Sequence, residues 1–310
     1  MDTMADERNY VLTSGRYRAE VASTGAGLRS LEFDGAPMTE TWELGKKPPL
    51  SAGLVLAPWP NRVADGKFSF GGVDHELDIT EPARGNASHG FVRRVDWTLV
   101  DHSDSRVEQS VDVGLHKGWP YRITLTVTHE LTDDGLVVTA SATNAGDVDA
   151  PFGMGFHSFV RVGDVPLDEC TLELSAGTRL QLDPDRMLPH GPSVPTAGTD
   201  YDFTTAKSLK DVWLDTPFSA EVPDEDGKAR HVLSGPDGAA TVLWTDREFD
   251  WIQVFTADPK NDQAYPDRGR ALAIEPMTCP PDAFNSGIDL LVLEPGKSWT
   301  GSWGMEHRAA

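Results

Sequence analysis

Apolar and polar residues alternate with a period of two in I-T-L-T-V-T-H-E-L, where Ile123, Leu125, Val127 and Leu131 interleave with Thr124, Thr126, Thr128 and Glu130. Side chains on a strand point to opposite faces in turn, so this pattern predicts a strand with one face in a core. Asp133, Asp134 and Gly135 supply a tight reversal, and Leu136, Val138, Ala140 and Ala142 resume the alternation beyond it. The pair reads as an antiparallel hairpin. K-F-S-F-G-G-V-D-H-E-L repeats the arrangement around Gly71-Gly72, and T-V-L-W-T, W-I-Q-V-F-T and S-W-T-G-S-W-G-M predict further strands.

Helical periodicity is missing by comparison. No stretch carries an apolar stripe of ordinary helix length, and A-K-S-L-K-D-V-W predicts one or two turns at most. Many strands joined by antiparallel turns imply an all-β chain with two large sheets packed face to face as a sandwich. The 310 residues have no low-complexity linker, and the 29 Gly and 22 Pro are spread along their length. A single domain over 1–310 is therefore expected.

Charge narrows the partners. A formal net charge of -22, from 49 acidic and 27 basic residues, repels phosphate backbones and anionic lipid. Neither nucleic acid nor a membrane is expected as partner. No apolar run reaches the roughly 20 residues of a membrane-spanning helix, and M-D-T-M-A-D-E-R lacks the basic and apolar regions of a secretion signal, so the chain reads as cytoplasmic. Cys170 and Cys279 have no C-x-x-C spacing and are expected to be reduced bystanders. The loops Pro223 to Lys228 and Asp258 to Arg270 read as solvated connections without chemistry. Motifs for mononucleotide, dinucleotide and serine-hydrolase chemistry are not found.

Four segments join polar groups of catalytic type to apolar strand sequence. In L-A-P-W-P-N-R-V, Arg62 offers a fork of donors for oxygen atoms beside Asn61, and Trp59 reads equally as a ring for a sugar face or as a core residue. In G-N-A-S-H-G-F-V-R-R, His89 lies just before an expected strand, with Gly90 permitting close backbone approach. In F-G-M-G-F-H-S-F-V, His157 sits among glycines and aromatic rings. In A-I-E-P, Glu275 ends an apolar strand, where a carboxylate is costly without a partner. A lone histidine is more often structural than catalytic, but imidazole and carboxylate on separate strands form an acid/base pair. Asp215 in V-W-L-D-T-P-F is too weak a signal by itself. His89, His157, Asp215 and Glu275 also form a conceivable ligand set for a divalent ion. The absence of a close H-x-H cluster disfavours that reading, and no metal is expected.

Taken in order, P-W-P-N-R, S-H-G-F-V-R, P-F-G-M-G-F-H-S-F, W-L-D-T-P-F and I-E-P-M-T-C-P-P-D-A-F-N resemble the aldose 1-epimerase (mutarotase) family over nearly the whole chain. The resemblance implies a galactose mutarotase-like sandwich with a sugar cleft on its concave sheet. It also implies catalysis without a cofactor or covalent intermediate. By the same resemblance, His157 protonates the ring oxygen, Glu275 takes the anomeric hydroxyl proton, and Arg62, His89 and Asp215 hold the sugar with Asn61 supporting its neighbour. The chain departs from the family where H-P-Y-F is common, reading Ser158 and Phe159 after His157. A related branch acts on hexose 6-phosphates, for which Arg84, Arg93 and Arg94 are candidate anchors; adjacent residues of an extended strand cannot both face one cleft. A sugar-binding sandwich without catalysis is the other alternative. Sequence leaves monomer and homodimer both open.

Overall fold

The computed structural model describes residues 7–310, so most of the N-terminal M-D-T-M-A-D-E-R run lies outside the described residues. Strand pairing is antiparallel throughout, as the turn chemistry predicts. The 123–132 hairpin forms with Thr132 opposite Gly135, and Ile123–Thr132 alternates buried and less buried positions along its length. That hairpin is the middle of a nine-stranded sheet. Arg106–Asp112 adds to one side of it and the long C-terminal strand Ser298–Arg308 to the other.

The second large sheet has eight strands and carries the chemistry. Asp215–Glu221, Trp251–Ala257 and Ala271–Met277 lie side by side at its centre, followed by the short Gly155–Phe156 and Val55–Leu56 strands. Gln253 is directly opposite Glu275, Ala273 opposite Phe255, and Phe255 opposite Asp215. Cross-strand partners share a face, so Glu275, Gln253, Phe255 and Asp215 project to one side. The intervening Ile252, Val254, Leu272 and Ile274 project to the other, into a core shared with Ile123, Leu125 and Val127 of the nine-stranded sheet. Phe156 meets Trp303 across the two sheets with ring centroids 5.1 Å apart. Burying one such ring contributes about 1.5–3 kcal/mol.

The polar side of these strands is covered as well, and every residue of Trp251–Ala257 and Ala271–Met277 is buried. A two-stranded ribbon, Arg62–Ala64 paired with Asn86–Ser88, bears on this site. A second small ribbon forms at Lys67–Phe70 and Val73–Glu76 around the Gly71-Gly72 turn. One local expectation is corrected. The A-K-S-L-K-D-V-W segment gives a short edge strand, Lys207–Ser208, because it pairs with Thr171 and Leu172. The α-helix in the described residues is the one-turn Ala283–Ser286. Among the described residues, no helix is long and apolar enough to cross a membrane. Cys170 and Cys279 are both free and buried.

Candidate active site

A cleft of about 250 Å³ opens on the polar face of the eight-stranded sheet and brings together Asn61, Arg62, His89, His157, Asp215 and Glu275. These six come from five separate stretches of sequence. Glu275 and Asp215 stand on the central strands. His157 occupies the break between Gly155–Phe156 and Phe159–Val160, where its backbone N–H donates to Leu54 O at 3.0 Å and its carbonyl accepts from Gly53 N at 2.8 Å. Pinned on both sides, its ring is stacked on Phe159 with centroids 5.5 Å apart. Phe159 therefore lies behind the histidine, and Ser158 is buried with its carbonyl accepting from Ile274 N.

His157 Nε2 is 3.5 Å from Glu275 Oε1, and both side chains are almost fully enclosed. Among the described residues, Nδ1 of His157 and Nδ1 of His89 have no hydrogen-bond partner. Burial opposes charge on each group. It pushes His157 down to about 3, with Arg93 and Arg62 adding to the effect. Burial raises Glu275 well above the ordinary carboxylate range, Asp215 pushing the same way and Arg62 opposing. His89 is driven well below the usual histidine value by burial and by Arg93. Asp215 is raised by burial against the pull of Arg62 and Arg84.

Asn61, Arg62 and Asp215 are joined in a chain of hydrogen bonds. Arg62 donates to Asn61 Oδ1 at 3.2 Å, Asn61 Nδ2 donates to Gln253 Oε1 at 3.2 Å, and Gln253 Nε2 donates to Asp215 Oδ1 at 2.6 Å. Arg62 also grips both oxygens of Glu81, at 2.8 and 3.1 Å. That fork overcomes the cost of burial and keeps the guanidinium charged. Asn61 has a φ of +54, a left-handed conformation that asparagine tolerates better than most residues. Its carbonyl accepts from His89 N at 2.8 Å, so the ribbon that carries Arg62 also sets His89. His89 follows the Asn86–Ser88 strand at a φ of +61 and leads into a 3-10 turn at Val92–Arg94. The expectation that it precedes a strand is corrected on this point.

Trp59 is a core residue, packed against Phe91, Trp119 and Phe284. The aromatic wall of the cleft is Phe255 instead. Gln263, from the loop read as a solvated connection, lines the cleft too. Gln253 and Glu81 were also missed. The signal for Gln253 was present in W-I-Q-V-F-T, a polar residue inside an apolar strand, which is the feature that singled out Glu275. Glu81 lies in a loop that nothing local distinguishes. Among the described residues, no group of three or more His, Cys, Asp and Glu side chains is placed to hold a metal ion.

Residues 8–306 match the family model for aldose 1-epimerase. The uncharacterized protein YihR of Escherichia coli K12 is 31% identical over 92% of this chain and 89% of its own. The maltose epimerase of Levilactobacillus brevis is 29% identical, covering 75% of this chain and 72% of its own. Among solved structures, a galactose mutarotase-like protein from Clostridium acetobutylicum superposes with a TM-score of 0.84 at 20% identity, covering 100% of this chain and 99% of that one. The aldose epimerase homologue of C. elegans gives 0.86 at 18% identity over 98% of this chain and 100% of its own. The match over almost the full length places this chain in the aldose 1-epimerase family.

Proposed function

We propose that this epimerase-family enzyme interconverts the α and β anomers of an aldohexose, with His157 and Glu275 as its acid/base pair. The observation that carries the reading is the 3.5 Å approach of His157 Nε2 to Glu275 Oε1 at the buried end of the cleft. Glu275 takes the proton from the anomeric hydroxyl while His157 gives one to the ring oxygen. The C1–O5 bond breaks and leaves an open-chain aldehyde. Rotation about C1–C2 and closure with the roles exchanged yields the other anomer. The pair holds one proton before and after, so the cycle needs neither a cofactor nor a covalent intermediate.

Burial favours uncharged imidazole with protonated carboxyl in the free cleft. The working form differs only in which partner holds the shared proton. Sugar hydroxyls entering the cleft supply the dipoles that support the ionised arrangement. Asn61, Arg62, His89 and Asp215 hold those hydroxyls and orient the ring, which lowers the entropic part of the barrier.

Polarimetry on freshly dissolved α-anomers of several aldoses tests this. The expected result is a rate above the spontaneous one, reduced about 10²-fold or more in His157→Asn, which keeps the fold but cannot exchange a proton at that site. Tight sugar binding without any acceleration would make the chain a binding protein and overturn the proposal.

A further inference from the structure

Beside the acid/base pair, at one rim of the cleft, stands a cation that this reaction does not use. Arg93 lines the cleft, and together with Ser51 it also lines an adjoining cavity of about 240 Å³ bordered by Lys47, Pro48, Leu54 and Arg94. The other arginine of the cleft, Arg62, is neutralised by Glu81. Arg93 has no such partner. It donates to Ser51 Oγ at 2.9 Å and Ser88 O at 3.5 Å, both uncharged, and among the described residues none of Lys47, Arg93 and Arg94 is in an ion pair. In a chain of net charge -22, three basic side chains meet at one cavity whose lining includes no acid. The 3-10 turn at Val92–Arg94 sends Arg93 to the cleft and leaves Arg94 exposed at the adjoining cavity, so the pair acts on two connected spaces.

On the reading that the site epimerises an aldose, we propose that its substrate is an aldose bearing an anionic group on the carbon attached to C5, held by Arg93. The placement follows from the two sides of the acid/base pair, whose members lie 3.5 Å apart. In the ionised arrangement that does the chemistry, Glu275 with Asp215 acting on it disfavours an anion at the anomeric end. Arg93 acts instead on His157 and His89, the side where the ring oxygen is protonated and where C5 carries its exocyclic carbon. An arginine fork suits carboxylate, phosphate and sulfonate oxygens alike. Binding such a group also offsets the Arg93 charge that depresses His157, so an anionic substrate readies the acid that acts on it.

The test is exchange NMR with the purified full chain on glucose, glucuronate, glucose 6-phosphate and 6-deoxy-6-sulfoglucose, each measured against its own spontaneous rate. The expected kcat/KM for at least one anionic sugar exceeds that for glucose by about tenfold or more, the scale of one charge-assisted pair. Arg93→Gln should collapse that ratio and Arg93→Lys should retain part of it. The best of the three anions identifies the group. Equal or better turnover of glucose, or Arg93→Gln lowering all sugars alike, would overturn the anionic assignment and leave the epimerase reading standing. No catalysed exchange with any sugar would remove both. If Arg93→Gln fails to fold, inhibition of wild-type glucose exchange by inorganic phosphate or sulfate gives a second readout, and no inhibition at tens of millimolar counts against the site.

Discussion

His157 and Glu275 owe their character to burial more than to each other. One is held below its ordinary value and the other above it, which widens the pH range in which the pair carries a single proton. A second proton enters only as the pH approaches about 3, whereas the sole proton leaves as it rises through the elevated value of Glu275. For a neutral aldose, kcat/KM should therefore hold its plateau well below pH 6.5, the ordinary histidine value, and fall on the alkaline side. An acid limb near 6.5 in a stopped-flow polarimetric profile would show that His157 titrates as an exposed histidine does. Gln253 is the other residue on which the site depends, since its amide joins Asn61 to Asp215. Gln253→Leu leaves a buried carboxylate and a buried amide without that partner, a loss of roughly 1–3 kcal/mol. The expected outcome is a lower thermal midpoint and a raised KM. Unchanged values for both would mean that the chain of hydrogen bonds has no part in holding the sugar.

At the level of elements, the site exists because short irregular segments are clamped against regular ones. The Arg62–Ala64 and Asn86–Ser88 ribbon ends in two left-handed residues, Asn61 and His89, and Gly90 follows at a φ of +62. A Cβ at Gly90 would lie 1.9 Å from Ala57 O, the same carbonyl that accepts from Phe91 N. Gly90→Ala must therefore displace backbone directly beside His89. We expect a loss of about 1–3 kcal/mol in a denaturant titration, with KM raised more than kcat is lowered. Regular elements such as the 123–132 hairpin were legible in the sequence because one of their faces meets solvent and the other the core. Strands 251–257 and 271–277 carry no such alternation, since both of their faces are covered; there a single polar residue in an apolar run was the available sign. That sign found Glu275 and was passed over at Gln253. The position of His89 was misread because a left-handed turn leaves no periodic trace.

For the whole molecule, the two-sheet sandwich followed from alternation and turn chemistry, while the assembly of the cleft did not. Residues 61, 89, 157, 215 and 275 are scattered along the chain, and only the ordered resemblance of five motifs joined them before the sheet brought them to one face. The same packing makes the protein sensitive to acid. His129, inside the core with Nδ1 unpartnered, is pushed by burial to about 3. Between pH 6.5 and about 3 the unfolded chain binds a proton there that the folded chain does not. Stability thus falls with falling pH, by as much as about 1.4 kcal/mol per unit from this group. His129→Leu should flatten the fall in urea midpoint between pH 7 and 4, and an unaltered slope would locate the acid sensitivity elsewhere. The central claim is that His157 and Glu275 exchange protons with a sugar bound in this cleft, and anomer exchange followed by NMR in wild type and Glu275→Gln tests it most directly. The expected result is acceleration of α/β exchange in the wild type and a loss of about 10²- to 10⁴-fold in a folded Glu275→Gln variant. Exchange at the wild-type rate in that variant, or none above the spontaneous rate in the wild type on any neutral or anionic aldose, would contradict it.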